Sequence, residues 1–383
     1  MVDKSFLSWP FFEERHRAHA QRLEAWCAAN LPVDHGDVDA ACRELVARLG
    51  RDGWLKPTAV DPADPAPLDV RTLCITRETL ARHDGLADFA FAMQGLGTGA
   101  ISLYGTPDQQ RWLERTRAGT AIAAFALSEP RSGSDVAHME MTAERDGDHY
   151  VLEGEKTWIS NGGIADFYVV FARTGEAPGA KGISAFLVPA DTPGLSFGPL
   201  EKKMGWRMQP TRQVILEDCR VPAENLLGGE GEGFRIAMAG LDGGRLNIAA
   251  CSLGGAQAAH EKALAYAGER AAFGQPLNRF QALQFKLADM ETNLAAARTL
   301  LYTAAARLDA GAPDATKWSA MAKRFVTDAC FEVANQALQL HGGYGYLHDY
   351  GLEKLVRDLR VHQILEGTNE IMRVIIARHL VGR

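Results

Sequence analysis

Four segments of this 383-residue chain gather hydroxyls, amides, glycines and a carboxylate at spacings that suit binding or catalysis. The first, from Phe125 to Asp135, ends a strand-like run at Ser128, turns at Pro130 and offers Ser132, Gly133 and Ser134 with free backbone amides. Amides and hydroxyls converging without Cβ crowding bind anions or flat polar rings. A plain β-turn accounts for the same residues. The second, from Lys156 to Gly163, sets Trp158 and Ser160 before Asn161-Gly162, which reads as a hairpin turn beside a packed tryptophan. The third joins Arg270, Phe273-Gly274 and Gln281, flanking a helix–turn–helix, to Gln339 and the run His341-Gly342-Gly343-Tyr344-Gly345. A helix C-cap needs one of those glycines. Three in four positions suit close backbone approach to a ligand or partner. The fourth runs from Ile364 to Arg373. An apolar stretch ends in Glu366, Gly367 breaks the chain, and Thr368 or Asn369 can N-cap a last helix. Pattern alone favours a solvated Glu366 near a helix start over a catalytic base, because most carboxylates are structural.

The elements that must position these segments change period twice. From Phe11 to about Arg117 the pattern is helical, with apolar stripes through Leu23 and Trp26, then Leu45, Val46 and Leu49, then Leu73, Cys74 and Leu80. Four prolines in the eleven positions from Pro57 to Pro67 predict an irregular loop. From about Ala121 to Val221 short β-branched and aromatic runs alternate with turn residues, which predicts an antiparallel β domain. From Gly233 onward Leu283, Leu287, Met290, Leu294, Ala297 and Leu301 fall at steps of three and four, one stripe of a bundle helix. Breaks at 273–276, 311–313 and 342–345 divide that region into four or five helices. The expected fold is α+β: a helical domain over 1–120, a β domain over 121–230 and a helical bundle over 231–383, each with its own core.

Composition narrows the functions. With 46% hydrophobic and 23% charged residues the chain is globular, and a net charge of −7 supplies no field for nucleic acid or anionic lipid. The six cysteines are scattered without a Cys-x-x-Cys pair, which fits a reducing cytoplasm and no metal site. No apolar run approaches the ~20 residues of a membrane span, and the first residues lack a signal-peptide pattern. The expectation is a soluble cytoplasmic protein. There is no Rossmann GxGxxG, no P-loop and no GxSxG elbow. Of the paired Glu-x-x-His of a di-iron bundle only Glu13–His16 occurs, which reads as a solvated helix face.

Together the motifs FALSEPRSGSD, GEKTWISNGG, MGWRMQPTRQVILEDCRVP, LDGGRLNIA, ERAAFGQPLNRFQALQ, QLHGGYGY and ILEGTNEIMR resemble the acyl-CoA dehydrogenase family. They occur in the family's order over about two-thirds of the chain, and the C-terminal third is most similar to the short-branched-chain members. The resemblance implies FAD between the β domain and the bundle, with the isoalloxazine against Phe125, Leu127, Ser128, Trp158, Ile159 and Ser160. It implies that a second subunit meets the rest of the cofactor through Arg270, Phe273, Gln281, Gln339, Gly342 and Gly343, with Thr368 and Glu370 closing on it. A homo-oligomer, typically a tetramer, follows. Glu366 matches the family's base, which removes the α-proton of an acyl-CoA while hydride leaves the β-carbon. Gly367 would leave room for the thioester, and Ser134, Asp242 and Arg245 match positions that contact the CoA portion.

Some members carry the base at positions that here are Gly243 and Gly244, so Glu366 is the expected base and Asp242 the fallback. The implied electron acceptor is an electron-transferring flavoprotein. An oxidase or lyase on the same fold and a silent FAD-binding scaffold are the competing readings. The chain departs from the family at Arg131, at the Pro57–Pro67 loop and at the run Gly95, Gly97, Gly99. A short acyl substrate is expected, because a glycine helix lets a neighbouring helix close in and narrow a cavity. A dicarboxyl substrate paired with Arg131 is the minority option.

Overall fold

The computed structural model describes residues 4–175 and 177–382. Five helices come first: α1 (Glu14–Asn30), α2 (Val38–Arg51), α3 (Val70–His83), α4 (Gly85–Tyr104) and α5 (Pro107–Arg117). Side-chain caps start several of them: Asp37, Asp69 and Asp84 accept from the first free amides of α2, α3 and α4. The Glu13–His16 pair is not a solvated face. It is the capping box of α1, and His16 is fully buried with Nε2 2.9 Å from Asp69 Oδ2.

The middle region forms one eight-stranded sheet: β1 (Ala123–Ala126), β2 (Thr142–Asp146), β3 (His149–Ser160), β4 (Phe167–Arg173), β5 (Ile183–Pro189), β6 (Leu195–Phe197), β7 (Thr211–Pro222) and β8 (Leu226–Leu227). Its order is β6-β7-β3-β2-β4-β5-β8, with β1 beside β4. The pairing is antiparallel as expected, except that β1 and β2 each run parallel to β4. Asn161-Gly162 is not a hairpin turn, because β3 pairs with β2 and β7 and not with β4. The Asn161 amide is instead buried and donates to the Ala123 carbonyl at 2.9 Å, folding the chain back under β1.

Five helices follow: α6 (Gly233–Glu269), α7 (Gln281–Asp309), α8 (Ala315–His341), α9 (Leu352–Arg360) and α10 (Asn369–Val381). The strand pair Ala271–Ala272 and Gln275–Pro276 joins α6 to α7. The two helical regions do not keep separate cores. Phe12, Cys74 and Ile75 pack with Ala249 and Leu253 of α6, Leu294 and Leu301 of α7, and Cys330 of α8. Small residues make this contact close: a Cβ on Gly254 would lie 2.2 Å from the Glu78 carbonyl. Buried Glu78 of α3 then holds α7, accepting from Arg298 Nε at 2.9 Å and from the Tyr302 hydroxyl at 2.7 Å. Gly97 plays the same part for the sheet. A Cβ there would lie 2.5 Å from that of Ala123, so α4 closes onto a strand rather than a helix.

Candidate active site

Two of the polar segments meet at the edge of the β domain. Buried Lys156 of β3 donates to Glu129 Oε1 at 2.7 Å and to the Leu127 carbonyl at 3.1 Å, and the Thr157 amide donates to the Ser128 carbonyl at 2.9 Å. Burial lowers the lysine to about 8, while Glu129 opposes the shift. A bulge between Lys156 and Ile159 lifts Trp158 out of the ladder. Its φ is 58° and the residue is 61% exposed. On the flanking segments Leu127 and Ile159 are buried, and Phe125 and Ser128 are half-buried. Ser134 is exposed on the adjoining turn. Arg131 is exposed too and lies 3.5 Å from Glu140.

The segment between β6 and β7 ties this edge to the C-terminal helices. Gln209 Nε2 donates to Ser160 Oγ at 2.7 Å, and the Trp206 amide donates to Asp358 Oδ1 of α9 at 2.5 Å. A Cβ on Gly205 would meet the Arg357 carbonyl at 2.1 Å, so glycine permits this docking. The Trp206 ring lies 4.9 Å from that of His362, four residues before Glu366.

Glu366 occupies the turn into α10. Thr368 is the N-cap, accepting from the Ile371 amide, and Glu370 is exposed in the first turn. Glu366 has φ 54° and Gly367 has φ 87°, two left-handed residues in succession. The carboxylate Oε2 is sealed from solvent and has no hydrogen-bond partner among the described residues. Burial raises this carboxyl from 4.5 to about 7, against the pull of Arg77, Lys323 and Arg245. Gly244 of α6 makes room for it, since a Cβ there would lie 2.6 Å from Oε2. Next to Gly244, Arg245 pairs with Asp242 at 2.5 Å, and the Thr316 hydroxyl of α8 donates to Asp242 at 2.5 Å. Arg245 Nε is buried and, like Glu366 Oε2, has no partner among the described residues.

The third segment builds a different cleft. Arg270, Gln339, Gly342 and Gly343 line about 450 Å³ at the C-terminal end of α8, with Tyr266 and His341 stacked 4.2 Å apart at its base. An added Cβ on Gly342 or Gly343 would touch nothing within 4 Å, so backbone there is open to close approach. Phe273 projects from the 271–276 hairpin at 97% exposure, and Gln281 is exposed beyond it. The lining of this cleft contains no β-domain residue.

Four parts of the site carry no expectation from sequence. Lys156–Glu129 and Gln209 lie in quoted motifs without an assigned role. Lys323 and the buried Arg77–Asp88 pair, bonded at 2.8 and 2.7 Å, lie outside them. The signal available was a charge inside an apolar stripe, as where Lys323 falls between Ala320 and Thr327 on the buried face of α8.

A carboxylate oxygen sealed from solvent, on a carboxyl raised to about 7, suits a general base that takes a proton from a weakly acidic carbon. Three domain models match the chain: acyl-CoA dehydrogenase N-terminal domain over 13–120, middle domain over 124–219 and C-terminal domain over 231–381. The chain belongs to the acyl-CoA dehydrogenase family. It is 51% identical over 304 residues to isobutyryl-CoA dehydrogenase, mitochondrial, of Dictyostelium discoideum, covering 79% of this chain and 73% of that protein. It is 48% identical over 367 residues to the Bos taurus isobutyryl-CoA dehydrogenase, covering 95% and 86%. Among solved structures it matches a chain described with the electron transferring flavoprotein of Acidaminococcus fermentans, at TM-score 0.90 and 39% identity, covering 97% and 99%.

The family's cofactor is FAD. The Ser132 amide is not free, since it donates to the Glu129 carbonyl, but exposed Gly133 and Ser134, the exposed Trp158 beside them and the uncrowded Gly342-Gly343 backbone fit such a group. Among the described residues no cluster could hold a metal ion, and no helix is long and apolar enough to cross a membrane.

Proposed function

We propose that the protein dehydrogenates a short, branched acyl-CoA to its 2-enoyl-CoA, with Glu366 as the base. The observation that carries this reading is the sealed, unpartnered Glu366 Oε2 with its carboxyl raised to about 7. A carboxylate stripped of water is a stronger base, and a value near the working pH keeps it ready both to take and to release the proton. FAD, when bound, supplies the hydride acceptor. Phe125, Leu127, Ser128, Trp158, Ile159 and Ser160 would hold its ring system, and Thr368 and Glu370 would close on it from the start of α10. Gly367, without a Cβ, leaves room for the thioester beside the base, and Asp242, Arg245 and Ser134 would take the CoA portion.

Substrate size is supported by the two isobutyryl-CoA dehydrogenases and by the close approach of α4 to β1 at Gly97. Exposed Arg131, set against Glu140, gives a dicarboxyl substrate little support. The cross-subunit part of the reading is a homotetramer in which Arg270, Phe273, Gln281, Gln339 and Gly342-Gly343 meet a neighbour's cofactor. Projecting Phe273 and exposed Leu264, Phe285, Tyr346 and Leu347 support it, as apolar surface of this kind seeks a cover. An electron-transferring flavoprotein as acceptor is supported by the Acidaminococcus relative and by exposed Trp158. Six buried, unpaired cysteines support a reducing compartment such as the cytoplasm.

A panel of acyl-CoAs mixed anaerobically with the holoenzyme tests the reading. Isobutyryl- and butyryl-CoA are expected to bleach the flavin faster than glutaryl- or octanoyl-CoA. A clear octanoyl preference contradicts it.

A further inference from the structure

The turn that presents Glu366 is unfavourable by itself. A non-glycine residue at φ 54° followed by a glycine at φ 87° persists only where its surroundings over-determine it. One buried side chain ties that turn to α8. Lys323 of α8 is fully buried, and its ammonium donates to the Gly367 carbonyl at 2.8 Å and to Asn369 Oδ1 at 2.9 Å. Among the described residues both of its hydrogen bonds end on this turn. The next turn of α8 continues the hold: Asn369 Nδ2 donates to Thr327 Oγ1 at 3.0 Å and to Asp328 Oδ1 at 2.8 Å.

Resting on the role of Glu366 proposed above, we infer that Lys323 is a positioning residue of the reaction, fixing the base through the carbonyl of the residue that follows it. A buried ammonium spent on a backbone carbonyl and one amide, without a carboxylate hydrogen-bonded to it, is costly to the fold. Its placement one peptide from the base gives it a use. Its field also acts on Glu366. The charged groups around that carboxylate are Arg77 and Asp88 from α3 and α4, Arg245 from α6 and Lys323 from α8, with buried His362 just upstream. Lys323 itself faces Glu366, Asp328, Arg245 and Glu370, and burial lowers it to about 8. Removing this cation disfavours the ionised Glu366 and moves its titration to higher pH.

The test compares Lys323→Met, Lys323→Gln and Glu366→Gln as FAD-loaded holoenzymes, assayed with isobutyryl-CoA and an artificial electron acceptor across pH 5–9. Lys323→Met is expected to lose roughly 10- to 10²-fold in kcat with KM changed less than about threefold. The acidic limb of its kcat profile moves to higher pH. Lys323→Gln keeps a donor for the carbonyl without the charge, so it retains more of kcat while its limb still moves up. That variant carries the test if Lys323→Met does not fold. An unmoved limb in Lys323→Gln overturns the inference, even if melting temperature falls. Glu366→Gln separates the two levels: if it turns over normally, the base assignment fails, and if it is inactive while both Lys323 variants are normal, only the lysine's role fails.

Discussion

A carboxylate oxygen sealed from water and left without a partner is unstable on its own account, and Glu366 pays for that position with an altered titration. Its carboxyl stands near 7 in the folded protein against an ordinary 4.5. With Glu366 as the proposed base, kcat is expected to rise with pH through about 7 and level off above, as a pH–rate profile would show. The stability consequence has the opposite sign. Between 4.5 and about 7 the folded protein holds a proton that the unfolded chain releases, so this stabilising contribution is lost as pH rises through 7. Glu366→Gln should therefore melt higher than the wild type at pH 8 and nearly equal to it at pH 5 by calorimetry. Gly244→Ala tests the space around the carboxylate. A methyl 2.6 Å from Oε2 must displace it, and a loss of about tenfold or more in kcat with FAD retained is expected. At this scale the sequence was partly legible. Glu366 stood out by its glycine and N-cap neighbours only once the motif resemblance was added, whereas Lys323 and Gly244 act through partners more than forty residues away or on another helix, and no local pattern reveals that.

Elements set where these groups meet. The helical, strand and helical stretches were readable from periodicity because each buries one face. What periodicity could not show is the shared core, where α3 lies on α6 at Gly254, or the parallel pairing of β1 with β4, since both are decided by contacts remote in sequence. The Asn161-Gly162 turn misleads for a related reason: its amide is used by Ala123, a strand away. The Lys156–Glu129 pair is the clamp between the two β-domain segments that hold Trp158 and Ser128. Lys156→Met leaves Glu129 buried with only backbone donors, and a loss of about 3 kcal/mol is expected. Denaturant titration of the holoenzyme would measure it, and the variant should also shed FAD on gel filtration. Adding Glu129→Leu should recover part of that stability, because removing both charges avoids the uncompensated one.

At the scale of the whole molecule, the turn around Trp158 and the cleft at Arg270, Gln339 and Gly342-Gly343 stand apart, since the lining of that cleft contains no β-domain residue. A second subunit is the simplest way to bring them onto one cofactor. Arg270→Ala is expected to lose FAD and fall to smaller assemblies together, and because FAD binds only the folded state its loss should also lower the melting temperature. A holo monomer seen by light scattering would contradict this arrangement. The central claim, that Glu366 takes the α-proton, is tested most directly by mixing isobutyryl-CoA anaerobically with wild-type and Glu366→Gln holoenzymes and following the flavin absorbance. The wild type should bleach within its turnover time. The variant should show the spectral perturbation of bound ligand while bleaching at least ~10²-fold more slowly. Bleaching at equal rates in both would place the base elsewhere, with Asp242 the first residue to examine.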